Sequence, residues 1–84
     1  MEINESARKH GVSDEDILHA IDQLLVEFEI GDDDPPRRWL VLGSNRAGLM
    51  LELIVLVFDD GAEMVIHAMP MRLKYEELLP GGER

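Results

Sequence analysis

The chain is predicted to be a single α+β domain: two N-terminal helices packed on a four-stranded antiparallel sheet, with a short C-terminal helix. Three observations carry that prediction. The first is the stretch Leu49 to Phe58, in which nine of ten residues are apolar and only Glu52 interrupts. Apolar side chains on both parities mark a strand covered on both faces, and so a central one. The stretch is too short to cross a bilayer as a helix, which takes about 20 apolar residues. The second is Asp59-Asp60-Gly61, which separates this run from Ala62–Met69. Asp-Gly between two such runs is a hairpin signal, because a type I′ turn places two successive residues at positive φ. The third is Ser13, a capping residue, followed by Asp14, Glu15 and Asp16 and then by Ile17, Leu18, Ile21, Leu24 and Leu25. Carboxylates in the first turn suit the helix dipole, and that spacing lays one apolar stripe along a helix.

The remaining elements follow from local signals. Glu5 to His10 reads as a short first helix, capped by Asn4 and stopped by Gly11. Val26 to Ile30 alternates apolar and acidic, a half-buried strand with Val26, Phe28 and Ile30 inward and Glu27 and Glu29 toward water or a basic partner. Gly31 to Pro36 is a loop, with Pro36 holding Pro35 extended. Arg37 to Gly43 is the second strand, Ser44 to Gly48 a turn, and Ala62 to Met69 the fourth strand, ended by Pro70. Arg72 to Leu79 is the short C-terminal helix, closed by Pro80-Gly81-Gly82.

Bulk properties narrow the function. A chain of 84 residues makes one domain and buries about 60–65% of its unfolded surface, so its stability margin is small. With no cysteine, neither disulfides nor thiolate metal sites add to it. The first residues are charged and carry no apolar run, so no signal peptide is expected and the cytoplasm is the default location. The net charge of −10 argues against non-specific binding to nucleic acid or to an anionic membrane, which needs a positive footprint. The few cations nevertheless cluster, as Arg8-Lys9, Arg37-Arg38, Arg46, and Arg72 with Lys74.

Three segments together resemble the BrnT family, the toxins of type II toxin–antitoxin pairs, whose fold is similar to the RelE ribonucleases. They are Arg8-Lys9-His10-Gly11-Val12-Ser13, then Arg38-Trp39-Leu40-Val41-Leu42-Gly43, then Val65-Ile66-His67-Ala68 with Arg72 and Tyr75. The resemblance spans roughly Ser6 to Tyr75, and Lys9 to Ser13 is its most specific part. It implies a RelE-like fold and a cytoplasmic bacterial endoribonuclease that cleaves mRNA without metal or cofactor and is neutralised by a cognate antitoxin protein. Family members usually begin with an aromatic-acidic strand and end in several arginines. This chain has only Met1-Glu2-Ile3 at its start, and Glu76-Glu77 follow Arg72 and Lys74 near its end.

Metal-free RNA cleavage needs a base for the ribose 2′-hydroxyl, an acid for the leaving 5′-oxygen, and positive groups for the charged phosphorane. On the resemblance, Arg72 stabilises the phosphate, because its planar fork pairs with phosphate oxygens, and Lys9, His10 or Tyr75 transfer protons. Arg8, Arg38 and Lys74 are the remaining RNA-binding cations. The plainer reading makes Arg72 and Lys74 a solvated helix face balancing Glu76 and Glu77. His67 shares a strand face with Val65 and Met69 and reads as a half-buried histidine hydrogen-bonded to structure. His19 lies opposite the apolar stripe and reads as surface. Asp32-Asp33-Asp34 lacks the spacing of a Ca²⁺ or Mg²⁺ loop, and Gly43 to Gly48 lacks the Lys-Ser/Thr of a phosphate loop. Met64, Met69 and Met71 read as gap-filling core.

Two functions therefore stand side by side. One is the toxin-type endoribonuclease. The other is a non-catalytic interaction module on the same fold, which the acidic balance favours. They differ in whether Lys9, His10, Arg72 and Lys74 share one positive pocket. The second face of the central strand, with Met50, Ile54, Leu56 and Phe58, also needs a cover, which points to a partner chain or self-association.

Overall fold

The computed structural model describes residues 1–32 and 34–81. Asp33 of the acidic run and Gly82 of the terminal Pro-Gly-Gly lie outside them. The fold is α+β, but among the described residues the sheet has five strands and is mixed, and there is a single α-helix. In chain order the elements are β1 (Glu2–Ile3), a 3₁₀ turn (Glu5–Arg8), α1 (Asp14–Asp22), β2 (Leu24–Ile30), β3 (Arg37–Ser44), β4 (Met50–Val57), β5 (Glu63–Pro70) and a second 3₁₀ segment (Leu73–Leu78). The spatial order is β1-β5-β4-β3-β2, with β4 in the centre as its two-faced apolar pattern requires.

The expectation of two helices on four antiparallel strands is corrected at three points. First, β1 runs parallel to β5, with Glu2 opposite Met64 and Ile3 opposite Val65. A strand of two residues has no alternation to read; its pairing comes from β5. Second, Glu5 to His10 is not an α-helix. The Asn4 amide donates to the Val65 carbonyl at 2.8 Å, and the Ser6 hydroxyl donates to the Ile66 carbonyl at 2.7 Å. Stitched to β5 at its start and turned by Gly11 at φ 81°, the segment has room for one 3₁₀ turn only. Asn4 still caps it, its side chain accepting from the Ser6 amide at 2.9 Å. Third, the C-terminal helix is also 3₁₀. The Tyr75 amide reaches the Arg72 carbonyl at 3.0 Å and the Leu79 amide the Glu76 carbonyl at 3.2 Å, both three residues apart.

The α-helix begins as its cap predicts, with Ser13 accepting from the Asp16 amide at 3.2 Å. It ends earlier than the apolar stripe suggests. Leu24 and Leu25 belong to β2, because spacings of seven and eight from Ile17 fit a helix while Leu24 to Ile30 finds a partner strand in β3. A register shift between Leu24 and Val26 leaves Leu25 bulged and 55% exposed. The hairpin between β4 and β5 forms, but not as a type I′ turn. Asp60 keeps a negative φ and only Gly61 is positive, at 87°. The Gly61 amide bonds the Phe58 carbonyl at 2.9 Å and the Phe58 amide bonds the Ala62 carbonyl at 2.9 Å. That is a three-residue loop, a turn closed by a left-handed glycine.

The main core lies between α1 and the sheet. Ala7, Ile17 and Ala20 pack on Val41, Leu51, Leu53, Val55, Val65 and Ala68, all buried. At its tightest point a Cβ on Gly43 would stand 2.1 Å from the Ala20 carbonyl oxygen, so the helix backbone rests directly on β3. Arg46, in the β3–β4 turn, grips Asp16 of α1 with its backbone amide at 3.0 Å and its Nε at 2.8 Å. On the opposite face Leu40 and Leu42 are buried, while Ile54, Leu56 and Ile66 are half-buried and Phe28 is 43% exposed. The β2 residues predicted to point inward, Val26, Phe28 and Ile30, stand on this second face opposite Leu42, Leu40 and Arg38. Among the described residues no helix is long and apolar enough to cross a membrane.

Because the obstruction at Gly43 is backbone, no rotamer change relieves it. Gly43→Ala is expected to cost about 3 kcal/mol, the upper part of the range for overpacking, read as a shift of the urea midpoint at unchanged slope.

Candidate functional site

The site is built around Glu52. It sits mid-strand on β4, facing away from α1, between Leu42 of β3 and Met69 of β5. It is 1% exposed and is the one buried charged residue among those described. A carboxylate is tolerated there only if its oxygens are satisfied. The chain supplies the donors where β5 ends. Arg72 donates from Nη2 at 2.8 Å to Oε1, from Nε at 3.0 Å to Oε2, and from its backbone amide at 2.9 Å to Oε2. His67 Nε2 lies 3.0 Å from Oε1.

These contacts set the charge state. Burial pushes the Glu52 carboxyl up, but the hydrogen bonds from the Arg72 side chain and backbone and from His67, together with the Arg72 charge, win, and it is lowered to about 2. Hydrogen bonding to Glu52 raises the Arg72 guanidinium above its ordinary value against the opposing effect of burial. Glu52 is therefore a fixed anion, and Arg72 is a fixed cation with nearly half of its side chain in solvent.

Around this pair other groups gather. His67, 25% exposed, meets the exposed His10 edge to face, with ring centroids 5.8 Å apart. The Arg72 guanidinium carbon lies 5.8 Å, and the Lys74 Nζ 5.1 Å, from the Tyr75 ring centroid. The structure thus brings His10, Arg72, Lys74 and Tyr75, drawn from the two ends of the chain, to one side of the sheet, linked through His67 and Glu52. Lys9 precedes His10 and is exposed. Arg8 is turned aside, forming a two-point ion pair with Asp14 at 2.9 Å on each bond. Arg38 stands four residues along β3 from Leu42, about 13 Å from the level of Glu52. There it lines a separate cleft of about 350 Å³ with Pro36, Leu56 and Ile66.

His67 is half-buried and hydrogen-bonded as expected, but a register shift in β5 separates it from the face of Val65 and sets it beside Glu52, where it links Glu52 to His10. His19 is not simply surface; its Nδ1 lies 2.8 Å from the Ser44 carbonyl, joining α1 to β3. Glu52 is the residue that motif reasoning passed over. Its signal was the lone acid in an otherwise apolar run. Among the described residues no group of three or more His, Asp and Glu is placed to hold a metal ion. No protein-family model matches the chain, and neither a curated protein nor a solved structure matches it.

Since Glu52 titrates near 4.5 when unfolded and near 2 when folded, its stabilising effect is full above about 4.5 and is lost as pH falls toward 2. Glu52→Gln is expected to lower stability by about 1–3 kcal/mol at pH 7. The same variant should flatten the fall in melting temperature between those two pH values, as followed by circular dichroism.

Proposed function

We propose that the chain is a toxin-type endoribonuclease, acting on mRNA in the cytoplasm without metal and held inactive by an antitoxin protein. The observation that supports it is the convergence of His10, Arg72, Lys74 and Tyr75 around the His67–Glu52 link. Glu52 is not the base: both oxygens are engaged and water does not reach them. Its task is to hold Arg72 and His67 in place. Arg72, with nearly half of its side chain in solvent, receives the non-bridging phosphate oxygens, and Lys74 adds a second positive charge. The exposed His10 takes the proton from the 2′-hydroxyl. The 2′-oxygen attacks phosphorus, the bond to the 5′-oxygen breaks, and the Tyr75 hydroxyl supplies the proton to that oxygen. The products are a 2′,3′-cyclic phosphate and a 5′-hydroxyl.

The second reading, a non-catalytic interaction module, is favoured by two features: the net charge of −10, and the commitment of Arg72 Nε, Nη2 and backbone amide to Glu52. One assay separates them. The purified chain, incubated with single-stranded RNA in a chelator, is expected to release cyclic-phosphate ends. His10→Ala and Tyr75→Phe, both at positions outside the core, should each slow the reaction by about 10²–10⁴-fold with an unchanged melting temperature. Absence of cleavage, or full activity in both variants, removes the nuclease and leaves the module.

A further inference from the structure

The sheet has one long open edge. At the β1 side the border strand is two residues, and the adjoining part of β5 is held by the Ser6 and Asn4 bonds. At the other side β2 pairs only with β3, so one row of its amides and carbonyls faces outward. Edge strands are commonly protected by lysine, proline or bulges. Here the bulge at Leu25 and the charges of Glu27 and Glu29 are the devices present, and Val26 to Ile30 beyond the bulge runs in regular register without lysine or proline.

The two faces of that edge differ. On the face shared with α1, Glu27 and Glu29 project opposite Val41 and Trp39. Arg37 covers Glu29 at 3.0 Å, and Glu27 remains exposed. Beside Glu27 lies a hollow of about 260 Å³ floored by Leu24, Trp39 and Val55, with Glu63 on its rim. On the other face Val26, Phe28 and Ile30 present an apolar strip, with Phe28 43% exposed.

We propose that β2 is a docking edge for an extended segment of another protein, one that alternates basic and apolar residues. Its backbone continues the sheet, its lysines or arginines meet Glu27 and reach into the acid-rimmed hollow over Trp39, and its apolar side chains extend the strip of Val26, Phe28 and Ile30. A second copy of this chain does not fit. Antiparallel self-pairing about Phe28 sets Glu27 of one copy against Glu29 of the other, in a body that carries −10. The proposal stands apart from the ribonuclease reading, since His67 lies on β5, three strands away.

The test uses two ten-residue peptides, one alternating lysine with valine or threonine, the other with glutamate replacing lysine. The lysine peptide is expected to slow amide exchange selectively within Val26–Ile30 and to bind at least about ten-fold more tightly than the glutamate peptide, with affinity falling as salt rises. Glu27→Lys, at an exposed position, should reverse the preference while leaving the circular dichroism spectrum unchanged. Equal binding of both peptides, protection elsewhere, or an unaltered preference in Glu27→Lys overturns the proposal. So does a dimer in sedimentation whose protected amides are those of β2, which makes a second copy the occupant.

Discussion

A single carboxylate, placed where water does not reach it, governs the arrangement of this molecule's second face. Glu52 interrupts the most apolar stretch of the chain, and a bare charge there would be intolerable. It becomes tolerable because His67 on β5 presents an imidazole to it and the polypeptide, on leaving β5, brings the guanidinium and backbone amide of Arg72 to its two oxygens. The requirement runs in both directions. The anion dictates where Arg72 must stand, and the segment Leu73–Leu78 starts from that point. Tyr75 and Lys74 are positioned as a consequence, and His67 carries the arrangement across to His10.

Such a centre trades stability for definition. Replacing a buried ion pair by apolar residues is often neutral or favourable, so the pair is better understood as fixing geometry than as supplying net free energy. Arg72 is the informative case, because it is half exposed yet held at three points. Arginine commonly keeps part of its head group in water while the rest is engaged, and here the three bonds to Glu52 fix that exposed part in one place.

What the amino-acid order made legible was local. Ser13 and Asn4 cap as their side chains predict, and Leu49–Phe58 is the middle strand, because capping and two-faced burial are written within a few residues. What it hid was set by distant partners. Nothing in Glu2-Ile3 announces a strand until β5 is alongside, and nothing in Glu5–Arg8 limits it to one turn until Ser6 is tied to Ile66. Leu24 and Leu25 satisfy a helical stripe and a strand equally well, and β3 decides between them. The site divides the same way. His10, Arg72, Lys74 and Tyr75 were recognisable as types of residue, whereas Glu52 shows its role only with partners 15 and 20 positions later. Arg8 and Arg38, equally cationic on paper, are drawn elsewhere by Asp14 and by the strand register.

The seat of α1 on Gly43 has a mechanical side. Where two elements are spaced by side chains, loss of a methyl group is partly healed as they settle together. Here the Ala20 carbonyl already touches the β3 backbone, so the helix has no travel left in that direction. A void opened beneath it at Ile17 or Leu53 stays open, and this small core behaves as a rigid frame whose defects are not absorbed by breathing of the layers.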